Sequence, residues 1–362
     1  MKAKGNKKNR IIKWILRVLL CMISIACLAL IAFLSKELRS QQQAERWQGE
    51  SEQVFSQISV FIPVHEGMDL NQVQQFRNDA AEKLKAAAFE LNSDSQLYVD
   101  AWSSTGLVDV SSALGSGKAE VLAVGGDFFS FHPIRLLSGN YINPNDLMKD
   151  RVLLDEELAW LLFGGIDLQG LSFKINGQNF VVAGVVDRQA DRESGLAYGG
   201  GMGLFMSYDA YLGLNENAKI NCYEFVMAQP VEGFAYNFAA EKFKDSKWLV
   251  LENTGRFQLE ELLDIIPQFG KRSMQTMGLI YPYWENAARY IEDWCALLLF
   301  VAIAAAVYPL MGFMLWFIRL FRKGKHKIED DVLPRVKENT QEAIRVRQRR
   351  RWERKRGLHE KR

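Results

Sequence analysis

Two stretches of this chain are apolar for long enough to cross a bilayer, and everything between them alternates. The first runs from Ile11 to Leu34, with Val18 to Leu34 free of charge. The second runs from Trp294 to Ile318 with no charge at all. A membrane helix needs about 20 apolar residues, so spans are predicted over residues 11–34 and 291–318. Between them, Ser59–Val64 reads as a strand. Asp69 is placed to cap a helix whose apolar residues Leu70, Val73, Phe76, Ala80, Leu84 and Phe89 recur at helical spacing. QLYVDAWS is a further strand, and EVLAVGGDFF from Glu120 a strand running into a turn. Asp146 is expected to start a short helix over DLMKD. Val152–Leu154 is a short buried strand. Asp155 then caps a helix whose apolar face is Leu158, Ala159, Leu161, Leu162 and Phe163, closed by Gly164-Gly165. Asn176-Gly177 between alternating segments signals a two-residue hairpin.

The third part repeats the first: YEFVMAQP a strand, FAYNFAAEKFK a helix, KWLVLEN a strand. A mostly helical segment, broken at Pro267 and Pro282, leads into the second span. The Gly-rich stretch Gly195–Gly203 reads as a surface loop. The pattern predicts a membrane protein in which two transmembrane helices flank an α/β (α+β) domain. The first and third parts build its base, and residues of about 126–215 form an inserted second lobe.

Charge orients this arrangement. The 362-residue chain has a formal net charge of only +2, but seven basic residues and no acid lie in the first 17 positions. From Arg319 onward there are 17 basic and 7 acidic residues, which leaves 21 basic and 36 acidic between. Basic flanks mark the cytoplasmic side. Residues 1–10 and 319–362 are therefore expected in the cytoplasm, and 35–290 outside it, at the cell membrane. A cleaved signal peptide is disfavoured because the first run is long and no small-x-small site follows. A lipoprotein anchor at Cys27 is disfavoured by the poor Ser24-Ile25-Ala26 approach. Cys222 is the only cysteine of the outer domain, which excludes an intradomain disulfide and a cysteine zinc site there.

The segments Gly125–Leu147 and Arg151–Val186 carry a resemblance. Asp127, Phe128 and Phe129, then Leu137 with Gly139, Asp146, Leu158-Ala159, Leu162-Phe163-Gly164, Gly170, and Phe180 through Gly184-Val185 fall in the order found in MacB-like ABC transporter permeases. This block resembles the periplasmic core domain of that family. Most of the positions encode turns and packing, so they point to a fold and not to a reaction. Asn140 and Leu171 stand where the family commonly has Arg and Lys. Family permeases usually carry four transmembrane helices, so this chain resembles an abridged permease.

No nucleotide-binding or catalytic constellation accompanies the resemblance. Gly115-Ser116-Gly117-Lys118 imitates a phosphate loop, but Ala119 follows and the segment reads as an ordinary loop. His65, His132, His326 and His359 form no ligand pair, and Asp155-Glu156-Glu157 and Glu260-Glu261 read as helix-surface charges. No cofactor, metal or catalytic residue is expected. The basic tail Arg345–Arg356, with Trp352, suits anionic lipid better than nucleic acid, and equally a solvated helix or a contact with a cytoplasmic partner. Pro309 can kink the second span, and Ala302, Ala304, Ala305, Ala306 and Gly312 suit close helix packing. The resemblance implies a permease-like subunit that works with a cytoplasmic ABC ATPase and with a fuller permease or further copies of itself. The alternative is a membrane-anchored extracytoplasmic binding or sensing module.

Overall fold

The computed structural model describes residues 2–37, 42–50, 53–63, 65–87, 97–143, 146–187, 202–244, 247–274, 278–327 and 339–349. Both apolar runs are helical, and both helices extend past their uncharged cores. They are α1 (Lys2–Glu37) and the 45-residue α9 (Tyr283–Lys327). The membrane-length portions are Ile11–Lys36 and Tyr283–Arg322. The chain divides into two compact units. One comprises Met1–Leu28 and Val301–Arg362. In it the Ser24 hydroxyl donates to the Ala302 carbonyl at 3.0 Å, which fixes where α1 and α9 meet.

Among the described residues, the other unit, Ala29–Phe300, holds ten strands and several shorter helices. In chain order these are α2 (Gln43–Gln48), β1 (Phe55–Phe61), α3 (Leu70–Ala86), β2 (Tyr98–Ser111), β3 (Ser116–Gly126), α4 (Phe128–Phe131), β4 (Arg135–Gly139), β5 (Arg151–Asp155), α5 (Glu156–Phe163), β6 (Ser172–Ile175), β7 (Gln178–Asp187), β8 (Gly203–Ser207), α6 (Tyr208–Leu214), β9 (Cys222–Ala228), α7 (Phe234–Lys242), β10 (Leu249–Glu252) and α8 (Leu259–Ile265). One sheet runs in the order β10-β1-β9-β2-β3-β8-β5-β7-β4, with β6 bridging β2 and β7. Pairing is antiparallel except between β3 and β8 and between β5 and β7. Strands from the beginning and end of the domain thus sit side by side, and the middle of the sequence extends the same sheet without a break. Both β1 and β9 are buried along their whole length, which explains their near-continuous apolar or small-polar sequences.

Local chemistry sets the boundaries. Asp69 and Gln72 form a reciprocal capping box that starts α3. Asp155 caps α5, and Gly164 in the left-handed conformation ends it. Asn176 and Gly177 both have positive φ, 48° and 84°, the geometry of a tight hairpin turn between β6 and β7.

Three expectations fail. Asp155, expected among helix-surface charges, is buried and accepts the Gly203 N–H. Residues 146–150 form no helix. The Asp146 carboxylate accepts the upstream Asn143 N–H at 3.2 Å, closing a turn behind itself rather than capping a helix ahead. Ser116–Lys118 is not loop but the start of β3, paired in register with Ser111–Asp109; pairing with β2 overrides the glycines. The Gly-rich stretch apart from Met202 and Gly203, together with Trp352, His359 and the side chain of His326, lies outside the described residues.

Candidate functional site

The two faces of β9 face different partners. Tyr223 and Phe225 lie under Phe76 of α3, at ring-centroid distances of 5.4 and 5.2 Å, and Phe76 also meets Phe238 of α7. Beside them is a satisfied polar cluster. The Arg77 guanidinium donates to both oxygens of Asp100 at 2.8 and 2.7 Å and lies over the Trp102 ring. The Tyr223 hydroxyl donates to the same carboxylate at 2.7 Å. The bond to Asp100 raises the Arg77 pKa further above its ordinary value. Burial, reinforced by their neighbours, pushes the Tyr98 and Tyr223 hydroxyls well up. This cluster fastens α3 to the sheet.

On the other face, polar side chains form an unbroken buried chain. The His132 ring, which follows α4, meets the Glu224 carboxylate through Nε2. Ser59 Oγ donates to Glu224 at 2.7 Å and accepts from Asn253 Nδ2 at 2.7 Å. Arg256 donates to Asn253 Oδ1 at 3.2 Å, to both oxygens of Glu285 at 3.0 and 3.1 Å, and through Nε to Glu292 at 2.5 Å. Arg289 donates to Glu285 at 2.6 Å and lies 3.8 Å from the centroid of Tyr281. Arg272 pairs with Glu292 at 2.8 Å. Glu224 is 1% exposed, Arg256 5% and Glu285 0%. Such charges are tolerated only when matched, and here three arginines face Glu285, Glu292 and Asp293. Burial opposes the charge on Arg256, but Glu285 and Glu292 outweigh it and raise its pKa. Arg256, Arg272 and Glu292 also line a groove of about 640 Å³ beside β10 and α8.

The chain that follows α1 joins the same face. The Gln43 N–H donates to the Gln57 side chain of β1 at 2.9 Å, and the Gln43 amide donates to the Phe131 carbonyl at 2.7 Å. The Asn253 N–H returns to the Gln57 carbonyl at 2.8 Å. Trp284 in the first turn of α9 closes over His132 at 4.1 Å and over Phe128 at 5.5 Å. Residues leaving α1 and residues opening α9 are therefore both held on one side of the adjacent strands β1 and β9.

The fifteen family-pattern residues are spread through the domain rather than brought to one point. Asp127 precedes α4, and its N–H donates to the Asp100 carbonyl at 2.9 Å. Burial and then the Asp100 charge raise its pKa. Phe128 is buried, while Phe129 packs on Tyr141 and Phe205. Leu137 and Gly139 lie in β4, and Gly139 is paired with Gly184 of β7. A Cβ on Gly139 would stand 2.3 Å from the Ala183 carbonyl oxygen, and one on Gly184 2.5 Å from that of Ser138. Only glycine permits this approach. Leu158, Ala159, Leu162, Phe180 and Val185 are core residues, Phe163 packs on Phe173, and Gly164 and Gly170 have positive φ. Asp146 sits in its turn. Leu171, in place of the common Lys, is 45% exposed. His65 is exposed beside Glu66. No group of three or more His, Cys, Asp or Glu suited to a metal occurs among the described residues.

Sequence reading did not find the buried polar chain. A signal was there: Glu285, Arg289 and Glu292 recur at i, i+4 and i+7 directly before an uncharged span, which puts them on one helix face.

Two membrane-length helices around a mixed α/β domain define a membrane protein with an extracytoplasmic segment. Residues 15–241 match the model of the MacB-like periplasmic core domain, and the chain belongs to that family, the outer domain of MacB-like ABC permeases. Among solved structures, the periplasmic region of MacB from Actinobacillus actinomycetemcomitans is 14% identical, covering 60% of this chain and 94% of that one with a TM-score of 0.38. The extracellular domain of the noncanonic ABC-type transporter YknZ from Gram-positive bacteria is 13% identical, covering 54% and 99% with a TM-score of 0.37. No curated protein matches.

Proposed function

We propose that this chain is a permease-like membrane subunit of an ABC transport system, coupling a cytoplasmic partner ATPase to movement of its outer domain. In this reading both termini are cytoplasmic, residues 35–290 lie outside, and the strands of about 126–215 act as the far lobe. The chain supplies no ATPase of its own; its partners are an ATPase and a fuller permease or further copies of itself. The family-pattern residues maintain the fold and carry no reaction.

The observation that carries the proposal is the shared docking face. Gln43, which follows the first membrane helix, bonds Gln57 of β1 directly, and Glu285, Arg289 and Glu292, which open the second, reach Ser59 of β1 through Arg256 and Asn253. A continuous buried polar network has few alternative arrangements, so a shift of either helix passes to the sheet instead of being absorbed. Coupling of this kind requires two discrete states that both ends bias.

The test is affinity purification of the tagged full chain from its own membranes in mild detergent, with mass spectrometry of what accompanies it. Recovery of an ABC ATPase, with nucleotide-dependent change in cysteine-labelled distances across the outer domain, supports the proposal. Failure to recover an ATPase or permease overturns it in favour of an anchored binding or sensing module.

A further inference from the structure

The paired membrane helices hold a cation with no acidic partner among the described residues. Arg17 lies in the first apolar run, and its guanidinium carbon is 5.4 Å from the ring centroid of Tyr308 on α9. It rests directly on Gly312: a Cβ there would stand 2.4 Å from Arg17 Cζ. The Ser24–Ala302 hydrogen bond sets this register, since seven residues back along α1 and a similar distance forward along antiparallel α9 bring Arg17 to Tyr308 and Gly312. Arg17 Nε is buried and has no hydrogen-bond partner among the described residues. The sequence has no acid before Glu37 and none between Asp293 and Glu329, so neither apolar run contains a carboxylate.

A guanidinium packed this way loses part of its hydration and needs an anion in return. Its surroundings specify which kind. Trp14 and Trp316 are 66% and 54% exposed and mark the headgroup level. Arg17 lies three residues inside Trp14, about 4.5 Å at helical rise. Lys13 is one turn nearer the headgroups on α1, and Arg319 lies two turns beyond Gly312 on α9; both are exposed. Met311, Leu315 and Leu320 beside them are also exposed, providing apolar helix surface along which acyl chains can lie.

We infer that Arg17, seated on Tyr308 and Gly312 with Lys13 and Arg319 above it, forms a binding site for the phosphate of an anionic phospholipid in the leaflet that holds the basic ends of the chain. The planar fork of Arg17 pairs two phosphate oxygens, and the outer cations supply long-range attraction.

The experiment is native mass spectrometry of the purified full chain titrated with phosphatidylglycerol or phosphatidylcholine. Phosphatidylglycerol is expected to bind the wild-type chain at least tenfold more tightly than phosphatidylcholine. Arg17→Gln should abolish that preference. Gly312→Leu, which keeps every charge but displaces the guanidinium, should weaken phosphatidylglycerol binding roughly tenfold. Arg345→Gln, in the exposed helical stretch 339–349, should change it less than twofold. Equal binding of the two lipids, or retained preference in both Arg17→Gln and Gly312→Leu, overturns the inference. Displacement of phosphatidylglycerol by an equal concentration of inorganic phosphate identifies a free anion as the ligand and overturns the lipid assignment.

Discussion

Gly139 and Gly184 face each other across β4 and β7 so closely that neither has room for a methyl group. Their presence in the family pattern then follows from backbone contact, not chemistry. Gly139 also has φ of 77°, so Gly139→Ala combines a clash with a strained backbone. It should destabilise the chain by more than about 1 kcal/mol, read as a lower midpoint in urea unfolding of the full chain in detergent. An equal or higher midpoint would refute the close-contact argument.

The buried hydroxyls and thiol make a second residue-level prediction. Burial, with Glu224 adding, pushes the Cys222 thiol well up, as burial does for Tyr98 and Tyr223. All three remain protonated in the folded chain at pH values where the unfolded chain has begun to lose its protons. Stability is therefore full below the ordinary values of about 8.5 for a thiol and 10 for a phenol, and falls as pH rises past them. The fall approaches about 1.4 kcal/mol per pH unit for each group. Tyr223→Phe should lower stability at pH 7 by about 1 kcal/mol through the lost bond to Asp100, yet fall less steeply above pH 10. Parallel stability–pH curves for the two chains would contradict this.

At the scale of elements, the first turns of α9 depend on the Arg256 network. Removing one member of a buried ion pair leaves its partner uncompensated, so Arg256→Ala should cost about 3–5 kcal/mol. If the pair acts as a unit, Glu285→Ala added to Arg256→Ala should cost less than the sum, with a coupling of about 1–3 kcal/mol. Additive losses would show that the two side chains act separately. This is also where sequence reading reached its limit. Asp69, Asp155, Gly164 and Asn176-Gly177 were legible because caps and tight turns are determined within four or five residues. Asp146 misled because a carboxylate can accept a bond from either side, and only the folded turn shows which. Arg256, Asn253, Ser59 and Glu224 were not legible. Their roles depend on partners far apart in the chain, and each alone looks like an ordinary strand or loop residue.

For the whole molecule, the sheet has a consequence in time. Strand β1, next to the sheet edge, is made early, yet it pairs with β9 and β10, near the end of the domain. The Ser59–Glu224 and Ser56–Glu252 bonds close intervals of 165 and 196 residues. Contacts so distant in sequence form slowly, and here they cannot form before synthesis has passed Cys222. A chain released before that point leaves both edges of β1 open, and limited proteolysis should cleave between Phe55 and Phe61 in such a fragment while sparing them in the full chain. During biogenesis the segment beyond the first membrane helix must therefore wait as an unpaired strand. The interval between synthesis of residue 61 and residue 252 is when this protein is most exposed to aggregation and to quality-control proteases.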